Sequence, residues 1–100
     1  MSPAELRNQL ETVARKLGIR VRFESFEPGA FRRGGLCKVR GETCIVIDAG
    51  APMVEQVATL EGALRKLNLE AIFIPPFVRA RIEGKETTLG PSLRKARRPR

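Results

Sequence analysis

The side chains able to do chemistry in this 100-residue chain are few: two cysteines, eleven acids and no histidine. Without an imidazole the usual neutral-pH acid–base group is missing, and neither a Ser–His–Asp nor a Cys–His nucleophile can be assembled. No Walker A run and no G-x-G-x-x-G loop is present. Cys37 and Cys44 form a C-x6-C pair. Structural zinc normally takes four ligands, so this pair predicts buried free thiols ahead of a disulfide and well ahead of a metal site. Asp48, Glu55 and Glu61 are isolated acids whose expected roles are capping or solvated helix surface. Glu61 follows Leu60 and lies one turn from Val57 and Leu64, so it borders an apolar stripe; an i,i+4 pair with Arg65 is its expected partnership. No catalytic, metal-ligating or cofactor-binding residue is assigned, no cofactor is expected, and the chain does not read as an enzyme.

Charge marks a different kind of candidate. Residues 85–100 carry Lys85, Arg94, Lys95, Arg97, Arg98 and Arg100 against Glu86 alone, which is +5 of the formal +8 and leaves +3 for residues 1–84. Dense arginine attracts phosphate backbones in a salt-dependent way. The chain has no Tyr or Trp, and this run has no aromatic at all, so a base-stacking platform is not expected. Arg32 and Arg33 stand beside Gly34-Gly35, where backbone N–H groups and guanidinium groups can approach an anion. Arg32, Arg33, Arg94, Lys95, Arg97, Arg98 and Arg100 are therefore the candidate contacts for non-specific nucleic acid, against the plainer reading of a solvated loop and a solubilising tail.

The elements that must position these groups follow from periodicity. Ser2-Pro3-Ala4-Glu5 has a cap, a proline at the first helical position and an acid three residues after the cap. Leu6, Leu10, Val13, Ala14 and Leu17 then form a helical stripe ending at Gly18. Ile19 to Phe26 alternates as a half-buried strand, with Ile19, Val21 and Phe23 on one side. Glu27 to Gly35 is a loop. Leu36–Arg40 and Thr43–Asp48 read as a hairpin. A turn on Gly41-Glu42 sets Cys37 diagonal to Cys44, and one on Arg40-Gly41 sets them opposite. Either way Cys37, Val39, Cys44 and Val46 share a face, the expected floor for the helices. Pro52 opens a second helix with Met53, Val57, Leu60, Leu64 and Leu67 as its stripe. Leu69 to Ile74 is ambiguous between strand and buried turn, and Pro75-Pro76 leads into a short helix ended by Gly84.

The result is one α+β domain over residues 1–84, in the order α-β-β-β-α-α, with helices on one face of a small, mainly antiparallel three-stranded sheet. Residues 85–100 bury too little apolar surface to offset ordering and read as a disordered basic tail. No run approaches the roughly 18 apolar residues of a membrane span, and Glu5, Arg7 and Glu11 interrupt any signal-peptide pattern; a cytoplasmic location is the default expectation.

The stretch from Gly35 through Asp48, followed by Gln56-Val57-Ala58-Thr59-Leu60, resembles the core of the ImmA/IrrE-like small bacterial zinc peptidases. The similarity covers about residues 3–67. It implies an N-terminal helix, a small sheet ending in a strand like Ile45-Val46-Ile47-Asp48, and a helix that would carry H-E-x-x-H. Gly62, Ala63 and Lys66 stand at that motif's two histidines and glutamate, so the zinc chemistry does not transfer. The resemblance implies a degenerate relative that kept the scaffold. The chain is also similar to short bacterial proteins with a Gly-Gly-Leu-Cys hairpin and an Ile-Pro-Pro-Phe-Val-Arg ending, which imply no activity.

Intact patterning without catalytic groups points first to a non-catalytic scaffold or adaptor that contacts another protein. Phe73, Pro75, Pro76 and Phe77 are its candidate contact residues. Non-specific nucleic-acid binding through the basic tail is the alternative, and an enzyme of unrecognised type comes last. No membrane partner is expected, and composition does not fix the oligomeric state.

Overall fold

The computed structural model describes residues 1–26 and 34–84. The candidate nucleic-acid contacts Arg32, Arg33, Arg94, Lys95, Arg97, Arg98 and Arg100, and the expected tail over 85–100, lie outside the described residues. Six elements follow in the expected order: α1 (Pro3–Lys16), β1 (Arg20–Glu24), β2 (Gly35–Val39), β3 (Glu42–Asp48), α2 (Met53–Arg65) and α3 (Pro76–Glu83). No helix among the described residues is long and apolar enough to cross a membrane.

Local chemistry sets the ends of α1. Ser2 accepts a hydrogen bond from the Glu5 amide at 3.1 Å, and the Glu5 carboxylate accepts one from the Ser2 amide at 2.9 Å. This reciprocal box satisfies two donors that the first helical turn leaves open. Gly18, at φ +77°, then turns the chain towards β1. Leu69–Ile74 forms no strand: its backbone runs as turns, with Leu69 and Ile74 buried.

The sheet has the order β1-β3-β2 and is mixed. β2 and β3 pair antiparallel, whereas β1 pairs with β3 in parallel, Val21 opposite Ile45 and Phe23 opposite Ile47. The sequence expectation of a mainly antiparallel sheet is refined on this point. Successive strands do reverse direction, but β3 lies between β1 and β2, so the two strands that run parallel are neighbours. β3 is the most continuously apolar strand, and the central position pairs its backbone on both edges. Immediately before β2 a Cβ on Gly34 would lie 2.5 Å from the Val46 carbonyl oxygen, so this approach admits only glycine.

The hairpin turns at Arg40-Gly41, with Cys37 opposite Cys44 and Val39 opposite Glu42. Both turn residues have positive φ, +55° and +83°, as a two-residue primed turn requires.

The expected helix-facing side of the sheet is reversed. Helices α1 and α2 cover the face bearing Ile45 and Ile47, which join Leu10, Leu60, Leu64 and Ile82 as fully enclosed members of the core, with Val21 and Leu36 packed against it. Cys37, Val39, Cys44 and Val46 belong to the opposite face. β3 is apolar at every position from Cys44 to Ile47, so alternation within it carries no preference. Its neighbours decide: β1 offers Val21 and Phe23, and β2 offers Leu36, on the Ile45/Ile47 side. Helix α3 packs on α2 and α1, anchored by Val78 and Ile82.

Among the described residues Gln56 is the polar side chain buried in this interior. Its Nε2 donates to the carbonyls of Asp48, Ala49 and Ala51 at 3.3, 3.4 and 3.0 Å, and its Oε1 accepts from Arg7 Nη1 at 2.7 Å. Three acceptors at one end and a guanidinium at the other fix the amide's orientation. Arg7 also lies 3.1 Å from Glu11 and stacks 5.0 Å over the Phe23 ring.

Two stability changes follow. Gln56→Ala removes the amide's bonds to the turn carbonyls and to Arg7 and should lower unfolding free energy by about 1–3 kcal/mol in urea titrations. Arg40→Asn should raise it by up to about 1 kcal/mol, because asparagine tolerates the left-handed conformation better than arginine.

Candidate functional site

Two surfaces and one acid emerge when the chemistry-bearing residues are placed on this frame. The first surface is the face of the sheet that no described helix covers. It forms an open groove of about 500 Å³ lined by Arg22, Glu24, Phe26, Cys37, Lys38 and Val46, among others. The alternation of β1 sends Arg22 and Glu24 to this side, where they form an ion pair at 2.8 Å. The register sends Cys37 and Cys44 there as directly opposed neighbours, their sulfurs 3.7 Å apart. Both are free thiols. Cys37 is half-buried and reaches the groove, whereas Cys44 is 4% exposed. Burial, followed by the hydrogen bond and charge interaction with Cys37, pushes the Cys44 thiol above the ordinary cysteine range. Among the described residues no group of three metal-ligating side chains comes together.

The second surface is the segment entering α3. Phe73 is 71% exposed and Phe77 45%, with Pro76 exposed and Pro75 half-buried between them. Ile74 and Val78, both buried, pin the backbone beneath. Lys16, at the end of α1, donates to the Phe73 carbonyl at 3.2 Å and lies 5.8 Å from the centre of its ring. The four residues expected to contact a partner therefore occupy one segment, with both aromatic rings outward and a cation beside one of them.

The isolated acids separate clearly. Asp48 Oδ1 accepts from the Gly50 amide at 2.9 Å, the self-contained turn its residue type favours. Glu55 sits exposed in the first turn of α2. Glu61 does not make its expected pair with Arg65, whose Nε donates instead to the Ile82 carbonyl at 2.7 Å. Its ion-pair partner is Arg81 of α3, at 3.0 Å, and its side chain is only 12% exposed. Burial raises the Glu61 carboxyl above its ordinary range, and Arg81 and Arg65 offset that only in part. The packing of α3 onto α2 creates this environment, and a helix-surface reading of α2 alone lacks it.

Where the resemblance to zinc peptidases places its motif, Ala63 is buried in the core, Gly62 is half-buried and Lys66 ends α2 as its cap. A shallow recess of about 200 Å³ lies beside this region, lined by Asn68, Glu70, Arg79 and Glu83, among others. Gln56 and Arg7 escaped the sequence reading. The signal for Gln56 was positional: it falls three residues after Met53 and four before Leu60, on the buried side of α2.

The chain matches no protein-family model, no curated protein and no solved structure.

The raised Glu61 fixes the sign of a pH effect. The fold favours its protonated form, so the stabilisation is complete below the ordinary carboxylate range and is lost as pH rises through the raised value. Glu61→Gln, a permanent mimic of the protonated form, should gain on the parent chain between pH 4 and pH 7 in urea midpoints. A gap that stays constant or shrinks with pH would contradict the account.

Proposed function

We propose that this chain is a non-catalytic protein-binding domain, a scaffold or adaptor, whose contact surface is the Phe73–Phe77 segment. The observation that carries the reading is the outward placement of Phe73 and Phe77 above a buried anchor of Ile74 and Val78. An aromatic side chain removed from water contributes through an area of roughly 150–250 Å², and rigid backbone beneath it lowers the entropy lost on docking. Lys16 at the rim and the net +3 of residues 1–84 favour a partner with an apolar recess edged by carboxylates.

The same reading treats α2 as a packing element of a zinc-peptidase-like scaffold, with Gly62, Ala63 and Lys66 in place of the ligands and base. On this view the helix serves by presenting α3 and the segment before it.

The test is quantitative affinity capture with the full chain as bait, compared with a Phe73→Ala/Phe77→Ala variant whose circular dichroism matches the parent. Central aromatic contacts cost about 2 kcal/mol or more on truncation, so binding of the captured partner should weaken by at least roughly 30-fold. Equal recovery by both baits, or no reproducible partner, would remove the reading.

A further inference from the structure

We propose that Cys37 and Cys44 form a thiol–disulfide exchange site for low-molecular-weight disulfides of the glutathione class, Cys37 attacking and Cys44 resolving. The site lies on the opposite face of the sheet from the helices and is independent of the Phe73–Phe77 surface.

Three observations carry it. The first is register: the Arg40-Gly41 turn places the two residues directly opposite on paired strands. Directly opposed residues have Cα atoms about 4.5–5.5 Å apart, inside the roughly 4.4–6.8 Å that a disulfide spans. The sulfurs already lie 3.7 Å apart, so side-chain rotation closes the remaining gap. The second is the asymmetry of access. Cys37 opens onto the groove and meets a solution reagent first, while Cys44 is enclosed behind it. The third is the groove, which has room for a peptide-sized disulfide. Arg22, held by Glu24 at 2.8 Å on the same face, is the cation beside the thiols for a carboxylate of such a ligand. With no third metal-ligating side chain grouped with them among the described residues, the pair's chemistry is that of a dithiol.

The steps balance without another reactant. The Cys37 thiolate attacks one sulfur of the small disulfide; a mixed disulfide forms, the small disulfide's own bond breaks, and one small thiolate leaves. Cys44 then loses its proton to solvent and attacks the Cys37 sulfur, forming the Cys37–Cys44 bond and expelling the second thiolate. The protein dithiol is oxidised by two electrons, the small disulfide is reduced by two, and both protons end on the released thiols.

The experiment treats the reduced, full-length chain with glutathione disulfide under anaerobic conditions with a chelator present. It is quenched with N-ethylmaleimide and read by intact mass. The expected product is a monomer lighter by both thiol hydrogens and carrying no maleimide. Cys44→Ser should stop as the mixed disulfide, one glutathione heavier, and Cys37→Ser should keep its thiol largely free over the same interval. Persistence of both alkylatable thiols in the parent, a disulfide only between two chains, or equal glutathionylation of the two variants would overturn the proposal. If either variant proves misfolded by circular dichroism, peptide mapping of the parent's first adduct decides: at Cys37 it supports the site, and at Cys44 it refutes it.

Discussion

The amide of Gln56 holds the point where the sheet hands over to the helices. β3 ends at the core, and the chain must turn at once into a helix whose preceding residue, Pro52, provides no side-chain cap. Three carbonyls of that turn face the same amide nitrogen. The Asp48 carbonyl also accepts from the Ala51 amide at 3.1 Å, so the Gln56 amide adds to a turn that is already partly satisfied. The other end of the same amide is occupied by Arg7, so the bond that settles the turn also fixes how α1 lies across α2. Arg7 in turn covers Phe23, which at 40% exposed sits at the open margin of the sheet. One polar side chain thereby ties together the turn, two helices and the outer strand.

Much of this arrangement was legible in the residues because local rules and tertiary packing agree. The Ser2–Glu5 box, the stripes of α1 and α2, and the Pro76 and Gly84 limits of α3 each express a single local preference. The β2–β3 hairpin was legible as well, but the parallel pairing of β1 with β3 and the buried face were not. In Cys44-Ile45-Val46-Ile47 every position is apolar, so period two cannot say which side is inside; only the register with β1 and β2 settles it. Glu61 shows the same limit: its partner Arg81 is twenty positions away on a helix that must dock before the pair exists. The Phe73–Phe77 segment was legible as apolar, but which of its residues face outward depends on Ile74 and Val78 being captured by the core.

The two surfaces differ in kind. The aromatic segment rests on the buried Ile74 and Val78 and offers apolar area beside a cation. The groove on the sheet is concave and polar at its rim, with sulfur at its centre. Placing them on separate elements lets each change without disturbing the other, since the hairpin and α3 share no direct packing.

With β3 in the middle, the margins of the sheet fall to β1 and β2, and among the described residues no further strand pairs with either. Open strand edges are templates for a neighbouring chain. Arg20 and Arg22 stand along one margin and Lys38 near the other, all exposed. A second sheet approaching side-on meets like charge before it meets a hydrogen-bonding partner, so the central position of the most apolar strand also keeps it out of reach of amyloid-like stacking.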